Sequence, residues 1–198
     1  MIFVAYQPMI SLQEHLCTTF KLAPSEADSF LAGFTKTVLK KNEVFTRDGE
    51  VCHTIGLVEK GLLKCVYNRE GEEVVFEFAF ENQFIADYYS FVTRTPSAKE
   101  IRCIEDTVLY VINREQLETM AKTHAFMGRM SRKMNERLFL KMHERLSSFL
   151  LDTPTQRYQQ LIAERADLVN RIPQYLVASY LNVQPETISR IRRKLANS

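Results

Sequence analysis

Apolar residues recur along this chain with a period that changes twice, and each change marks a change of structure. From residue 11 to about 34, Leu12, Leu16 and Phe20, then Phe30, Leu31 and Phe34, follow helical spacing, with Pro24-Ser25-Glu26 as a helix start between them. From Thr37 to about Ile112 the pattern breaks into short runs of Val, Ile, Phe and Tyr. Asp48-Gly49, Lys60-Gly61 and Glu70-Gly71 cut these runs at intervals of about ten residues. That rhythm predicts a β-sandwich or jelly roll. Leu62-Leu63-Lys64-Cys65-Val66-Tyr67 and Val74-Val75-Phe76-Glu77-Phe78 flank Asn68-Arg69-Glu70-Gly71-Glu72, which predicts a hairpin. Around residue 114 the period turns helical again, with Leu117 and Met120 on one short helix.

A long helix follows, from about Ala125 to Leu151. Phe126, Met130, Met134, Leu138, Met142, Leu146 and Leu150 repeat every four residues, with Met127, Phe139 and Phe149 beside the row. One broad side is therefore apolar over about 40 Å at 1.5 Å per residue. Such a face needs a partner. It packs either on its own barrel or on a second copy, and the row through Met127, Met130, Met134, Leu138 and Met142 is read as a homodimer interface. Thr153-Pro154-Thr155-Gln156 supplies an N-cap, a proline at the first helical position and a glutamine at the third. A helix carrying Tyr158, Leu161, Ile162 and Leu168 starts there, and Thr153-Pro154 is the expected hinge. The organisation is α+β: residues 1–124 an effector domain built on the barrel, 125–151 the long helix, 152–198 an all-α domain.

Within that last domain, residues 172–195 read as two short helices joined by a tight turn. Val177, Ala178 and Leu181 share a face of the first; Ile188, Ile191 and Leu195 form an i, i+3, i+7 row on the second. Asn182 falls where the chain must turn, and asparagine enters the left-handed region at tolerable cost. Pro185 suits the first helical position. Glu186, Thr187, Ser189 and Arg190 point away from the buried row. On a helix entering a DNA major groove, arginine suits guanine, glutamate accepts from cytosine N4, and hydroxyls serve several bases. Arg192, Arg193 and Lys194 add positive charge suited to phosphate.

Charge strengthens that reading. Residues 1–124 hold 13 Lys+Arg and 18 Asp+Glu, a net of −5, whereas residues 125–198 hold 13 and 6, a net of +7. An acidic front and a basic rear point to a polyanion partner for the rear. No apolar run reaches the roughly 20 residues of a membrane span, and Met1-Ile2-Phe3-Val4-Ala5-Tyr6 lacks the features of a secretory signal, so the cytoplasm is the expected location. Cys17, Cys52, Cys65 and Cys103 are widely spaced and read as reduced, mostly buried thiols. An enzyme on a jelly roll needs metal ligands inside the barrel, and His53 is the only histidine there. No enzymatic activity and no cofactor are expected.

The order acidic barrel, long apolar helix, helix-turn-helix resembles the Crp/Fnr family of bacterial transcription regulators over nearly the whole chain. The most specific piece is Val183-Gln184-Pro185-Glu186-Thr187-Ile188-Ser189-Arg190, which is similar to the family's recognition-helix start, hydrophobic-Ser-x-Glu-Thr-hydrophobic-Ser/Gly-Arg. The resemblance implies that Glu186 and Arg190 read bases and that Thr187 and Ser189 support base or phosphate contact; Gln184, at the family's serine, and Arg193, through its charge, complete the expected DNA-binding set. It further implies a homodimer on a near-palindromic double-stranded DNA site, RNA polymerase as a further partner and a small-molecule effector of unknown identity. Gln184 in place of serine implies a different operator preference. In the barrel, the family's Gly-Glu and Arg-Ser/Thr-Ala phosphate cassette corresponds to Ala86-Asp87 and Pro96-Ser97-Ala98, so the effector pocket would comprise Asp87, Tyr88, Ser97 and Ala98. Proline at the arginine position removes the chief phosphate ligand, and cyclic AMP is not expected to bind in the usual way. Tyr88 and Tyr89 are candidates to occlude the pocket. The sequence ends at Ser198, short of the β-hairpin wing of many relatives. The rival expectation is a sensing module that signals through protein contacts without binding DNA.

Overall fold

The structure, a computed structural model, describes residues 10–164 and 166–196. Two short helices, α1 (Leu12–Phe20) and α2 (Pro24–Ala32), open it. Ser11 caps α1 by accepting from the Glu14 N–H, and the Glu14 carboxylate accepts from the Ser11 N–H in return. Leu12, Leu16, Phe20, Ala27 and Phe30 are buried on one side of the pair.

The barrel is a sandwich of two antiparallel four-stranded sheets. Its strands are β1 (Thr35–Leu39), β2 (Val44–Thr46), β3 (Thr54–Lys60), β4 (Leu62–Arg69), β5 (Glu72–Phe80), β6 (Phe84–Ile85), β7 (Lys99–Cys103) and β8 (Thr107–Asn113). One sheet runs β1-β8-β3-β6 and the other β2-β7-β4-β5, so β5 is an outer strand. The expected hairpin is β4–β5, with Arg69 opposite Glu72 and a two-residue loop at Glu70 and Gly71. Both loop residues have positive φ, 55° and 87°, the signature that matches the twist of adjoining strands. Gly61 joins β3 to β4 at φ 117°, where a Cβ would fall 2.5 Å from the Thr107 hydroxyl oxygen; only glycine fits. A short helix, α3 (Tyr88–Thr93), interrupts the passage from β6 to β7.

After α4 (Arg114–Thr123), the long helix α5 covers Phe126–Leu151. Its apolar row does not serve one purpose. Met127 and Met130 are 5% and 2% exposed and lie in the same cluster as Leu16, Phe30 and Phe91, and Met134 packs against that cluster. These residues belong to the chain's own core, which corrects their reading as dimer contacts: α1, α4 and the barrel cover the first turns of the helix. Leu138 and Met142 are half-buried. Phe139, Leu146 and Leu150, 69%, 60% and 74% exposed, form an uncovered stripe about a third of a turn away, and Leu140 and Leu151, also exposed, lie outside that stripe. His143 stacks on Phe139 in the same stripe.

Beyond α5, Thr153 and Gln156 form the expected reciprocal cap. The described helical residues on either side of residue 165 are α6 (Pro154–Glu164) and α7 (Ala166–Arg171), with Leu168 on the second. Two further helices, α8 (Gln174–Tyr180) and α9 (Pro185–Ala196), end the described chain.

Candidate nucleic-acid interface and effector pocket

The turn between α8 and α9 is built as the residues dictate. Asn182 sits at φ 53°, and the Val183 N–H reaches back to the Ala178 carbonyl at 3.0 Å, closing a left-handed helix end. α9 then starts on Pro185, whose missing N–H costs nothing there. Ile188 and Ile191 are buried against Leu176, Val177 and Leu181, and this contact fixes which side of α9 faces outward.

That outer side carries Gln184, Glu186, Ser189, Arg190 and Arg193, all exposed, with Thr187 half-buried beside them. Arg190 donates to the Thr187 hydroxyl at 3.2 Å, which holds the guanidinium along the helix face. Ser189 is less free than its position suggests. The Gln174 side-chain amide, from the start of α8, donates to the Ser189 hydroxyl at 2.6 Å and to the Pro185 carbonyl at 3.2 Å. Only the NH₂ end of an amide donates to a carbonyl, so the Gln174 orientation is fixed. Gln174 thus locks the two helices together at the side that would meet DNA. The pattern of apolar positions gave no sign of it, because a single polar pair across two helices has no period.

The whole α8–α9 unit is seated on the barrel. One apolar cluster runs from Leu62, Val66, Val75 and Phe78 of β4 and β5 into Leu176, Val177 and Ile188. Ser179 accepts from the Val75 N–H at 2.9 Å, on the outer edge of β5. Arg171 reaches the Glu81 carboxylate with both terminal nitrogens, 2.9 Å each, and also pairs with Glu105. On the other side, Arg145 of α5 lies over the Tyr180 ring at 4.1 Å and donates to the Tyr180 carbonyl, while Arg157 of α6 donates to the Leu181 carbonyl at 3.1 Å. Two cations therefore meet the carbonyl end of α8, the favourable end of its dipole.

Inside the barrel the expected pocket residues separate. Asp87 (1% exposed) and Ser97 converge: the Ser97 hydroxyl donates to the Asp87 carboxylate at 2.7 Å. Lys99, missed in the sequence, completes the group. Its ammonium donates to Asp87 at 2.9 Å and lies over the rings of Phe76 and Tyr67, at 4.4 and 5.6 Å. Burial pushes the Asp87 carboxyl up, but the bonds from Lys99 and Ser97 prevail and hold it below the usual carboxylate range. Burial likewise pulls the Lys99 ammonium down, and Asp87 more than restores it. The pair is ionised. Tyr88 and Ala98 stand apart from this group: the Tyr88 hydroxyl donates to Asn135 on α5, and Ala98 is exposed. Tyr89, 70% exposed, occludes nothing.

Residues 36–124 match the family of cyclic nucleotide-binding domains. No curated protein matches the sequence. Among solved structures, the chain is similar to FixK2 from Bradyrhizobium japonicum, at 16% identity and a TM-score of 0.72 over 83% of this chain and 85% of that one. It is similar to the c-di-GMP responsive global regulator CLP of Xanthomonas campestris, at 16% identity and 0.67 over 88% and 92%. A regulator assigned to the Crp/Fnr family from Eubacterium rectale gives 16% and 0.64 over 92% and 88%. The likeness to these regulators is one of fold.

The chain departs from the Crp/Fnr resemblance at the phosphate cassette. Pro96 is exposed and carries neither charge nor donor. Arg94, two residues before it, is exposed at the end of α3 with φ 62°. The cation beside Asp87 comes instead from Lys99, one residue past the cassette. Its charge is engaged by the Asp87 carboxylate. No helix among the described residues is long and apolar enough to cross a membrane, and no group of three or more potential metal ligands occurs among them.

Proposed function

We propose that this protein is a sequence-specific DNA-binding transcription regulator, active in the cytoplasm as a homodimer and without catalytic activity. The observation that carries the reading is the division of α9. Ile188 and Ile191 are buried while Glu186, Arg190 and Arg193 are exposed on the opposite side, from the first turns onward. A base-reading helix needs this arrangement, with acceptor and donor side chains toward the groove and flanking cations toward phosphate. The basic rear of the chain supplies the electrostatic attraction. In the dimer, the stripe of Phe139, His143, Leu146 and Leu150 on α5, with the flanking half-buried Leu138 and Met142, would meet its copy, and the two α9 helices would address successive major grooves about 34 Å apart. RNA polymerase is the natural further partner of such a regulator.

The effector pocket supports control other than by cyclic AMP in the usual mode, since Pro96 supplies no phosphate ligand and Asp87 is already neutralised by Lys99. Retention of a random-sequence duplex pool by the purified protein, measured against salt, tests the DNA assignment. A steep loss with salt is expected. Arg190→Ala should lose about 1 to 3 kcal/mol of discrimination among selected sequences, whereas Arg193→Ala should weaken all duplexes alike and flatten the salt slope. Indifference to every duplex in dilute buffer refutes it.

A further inference from the structure

Five side chains form an unbroken path from the barrel pocket to the helix-turn-helix. Asp87 accepts from Lys99 at 2.9 Å, and the Lys99 ammonium lies 4.4 Å from the centre of the Phe76 ring. The Arg145 guanidinium is 5.7 Å from the same ring and 4.1 Å from that of Tyr180, near the end of α8. Phe78, two residues along β5, packs on Tyr180 at 5.3 Å between ring centres. Arg145 is held by a third ring, Phe149, and one of its terminal nitrogens is buried with no acceptor. An orphaned buried donor of this kind costs free energy, which the three ring contacts of Arg145 and its bond to the Tyr180 carbonyl must offset.

We propose that Lys99 serves as an internal ligand of the barrel. Its ammonium, seated between Asp87 and Phe76, holds β5 in the position that Arg145 and Tyr180 require, so the α8–α9 unit stays docked on the barrel without any small molecule. The cations grip the aromatic faces through their quadrupoles, an attraction strengthened where water is excluded. Phe76 is the shared element: the pocket cation touches it from one residue, the helix cation from another. The inference rests on the regulator reading for its biological meaning, but the docking itself is measurable without DNA.

The Val75 N–H reports it, because that amide is bonded to Ser179 of α8 and is freed when the unit undocks. Its exchange with solvent is followed by NMR on the full chain, with the Leu109 amide of the central strand β8 as control. Removing both charges in Asp87→Asn with Lys99→Met leaves no buried ion unpaired and should speed Val75 exchange by roughly tenfold while Leu109 is unchanged. Arg145→Met, made outside the pocket, should do the same, and if the double variant also loses Leu109 protection, Phe76→Leu, which removes the shared ring and keeps both ions, decides the matter by speeding Val75 exchange or leaving it unchanged. Cyclic AMP or cyclic GMP at millimolar concentration should leave wild-type exchange unaltered. Unchanged Val75 exchange in Arg145→Met, unchanged exchange in a double variant that keeps its Leu109 protection, or a wild-type response to either nucleotide overturns the proposal. Failure of the wild-type protein to retain duplex DNA overturns the regulator reading instead, whatever Val75 does.

Discussion

Arg171 grips Glu81 with two parallel hydrogen bonds, 2.9 Å each, and this pair ties the last domain to the barrel across 90 residues of sequence. The Gly61 N–H donates to the same carboxylate at 2.9 Å, so Glu81 joins the β3–β4 turn, its own loop and α7. Arg171→Ala removes a two-bond cation from a nearly buried carboxylate and should cost about 2 to 3 kcal/mol. Glu81→Gln should cost less, because a neutral amide oxygen still accepts from Gly61 and Arg171. Urea unfolding midpoints of the two variants check the order.

Acid should weaken the protein in two stages. His15 is held below the ordinary imidazole value by burial and by the nearby Arg137 cation. Its folded value therefore lies under the unfolded one, and as pH falls below about 6.5 the unfolded chain takes up the proton first. Glu81 and Asp87 are also lowered, burial being outweighed at each by bonds from Arg171 and Gly61 or from Lys99 and Ser97. The stability they supply is complete above the usual carboxylate range and drains away as pH drops below about 4. Urea midpoints across this range should fall twice, with His15→Gln flattening the first decline and Glu81→Gln the second.

Asn182 holds a left-handed conformation that most residues adopt only with strain. Asn182→Ala should cost about 1 kcal/mol, and Asn182→Gly should leave the melting temperature almost unchanged. Equal losses from both substitutions would assign the role of Asn182 to its side chain and not to its backbone.

The uncovered stripe on α5 sets the oligomeric state under the proposed function. Phe139→Asp combined with Leu146→Asp places charge in the middle of it and should convert the dimer to a monomer in sedimentation experiments. Barrel stability should be unaffected, because neither side chain is buried in the chain itself.

Much of the architecture is legible in residue order. Helix starts at Pro24, Pro154 and Pro185, the Glu70-Gly71 loop and the Asn182 turn are local decisions, made by a few neighbouring residues whose backbone preferences allow little else. The exposed side of α9 follows as well, since Ile188 and Ile191 leave only one way to orient it. The Met row on α5 shows the limit. Periodicity reveals that a face is apolar but not what covers it, and Met127 and Met130 turn inward while Phe139 and Leu146, a third of a turn away, remain bare. Lys99 was hidden for a related reason: strand alternation places it on the same side as Ser97, but the arrival of Asp87 from another segment, which makes a buried lysine tolerable, is a product of the fold.

The Ser179–Val75 bond also bears on how this protein survives in a crowded solution. β5 is the last strand of its sheet, and an unsealed row of strand N–H and C=O groups is a template on which other chains can polymerise. By lying along that margin, α8 shields both the hydrogen-bonding groups and the oily residues Val75 and Phe78 beneath it. A barrel expressed without residues 152–198 should consequently clump, and the C-terminal helices double as the guardian of their own scaffold's solubility.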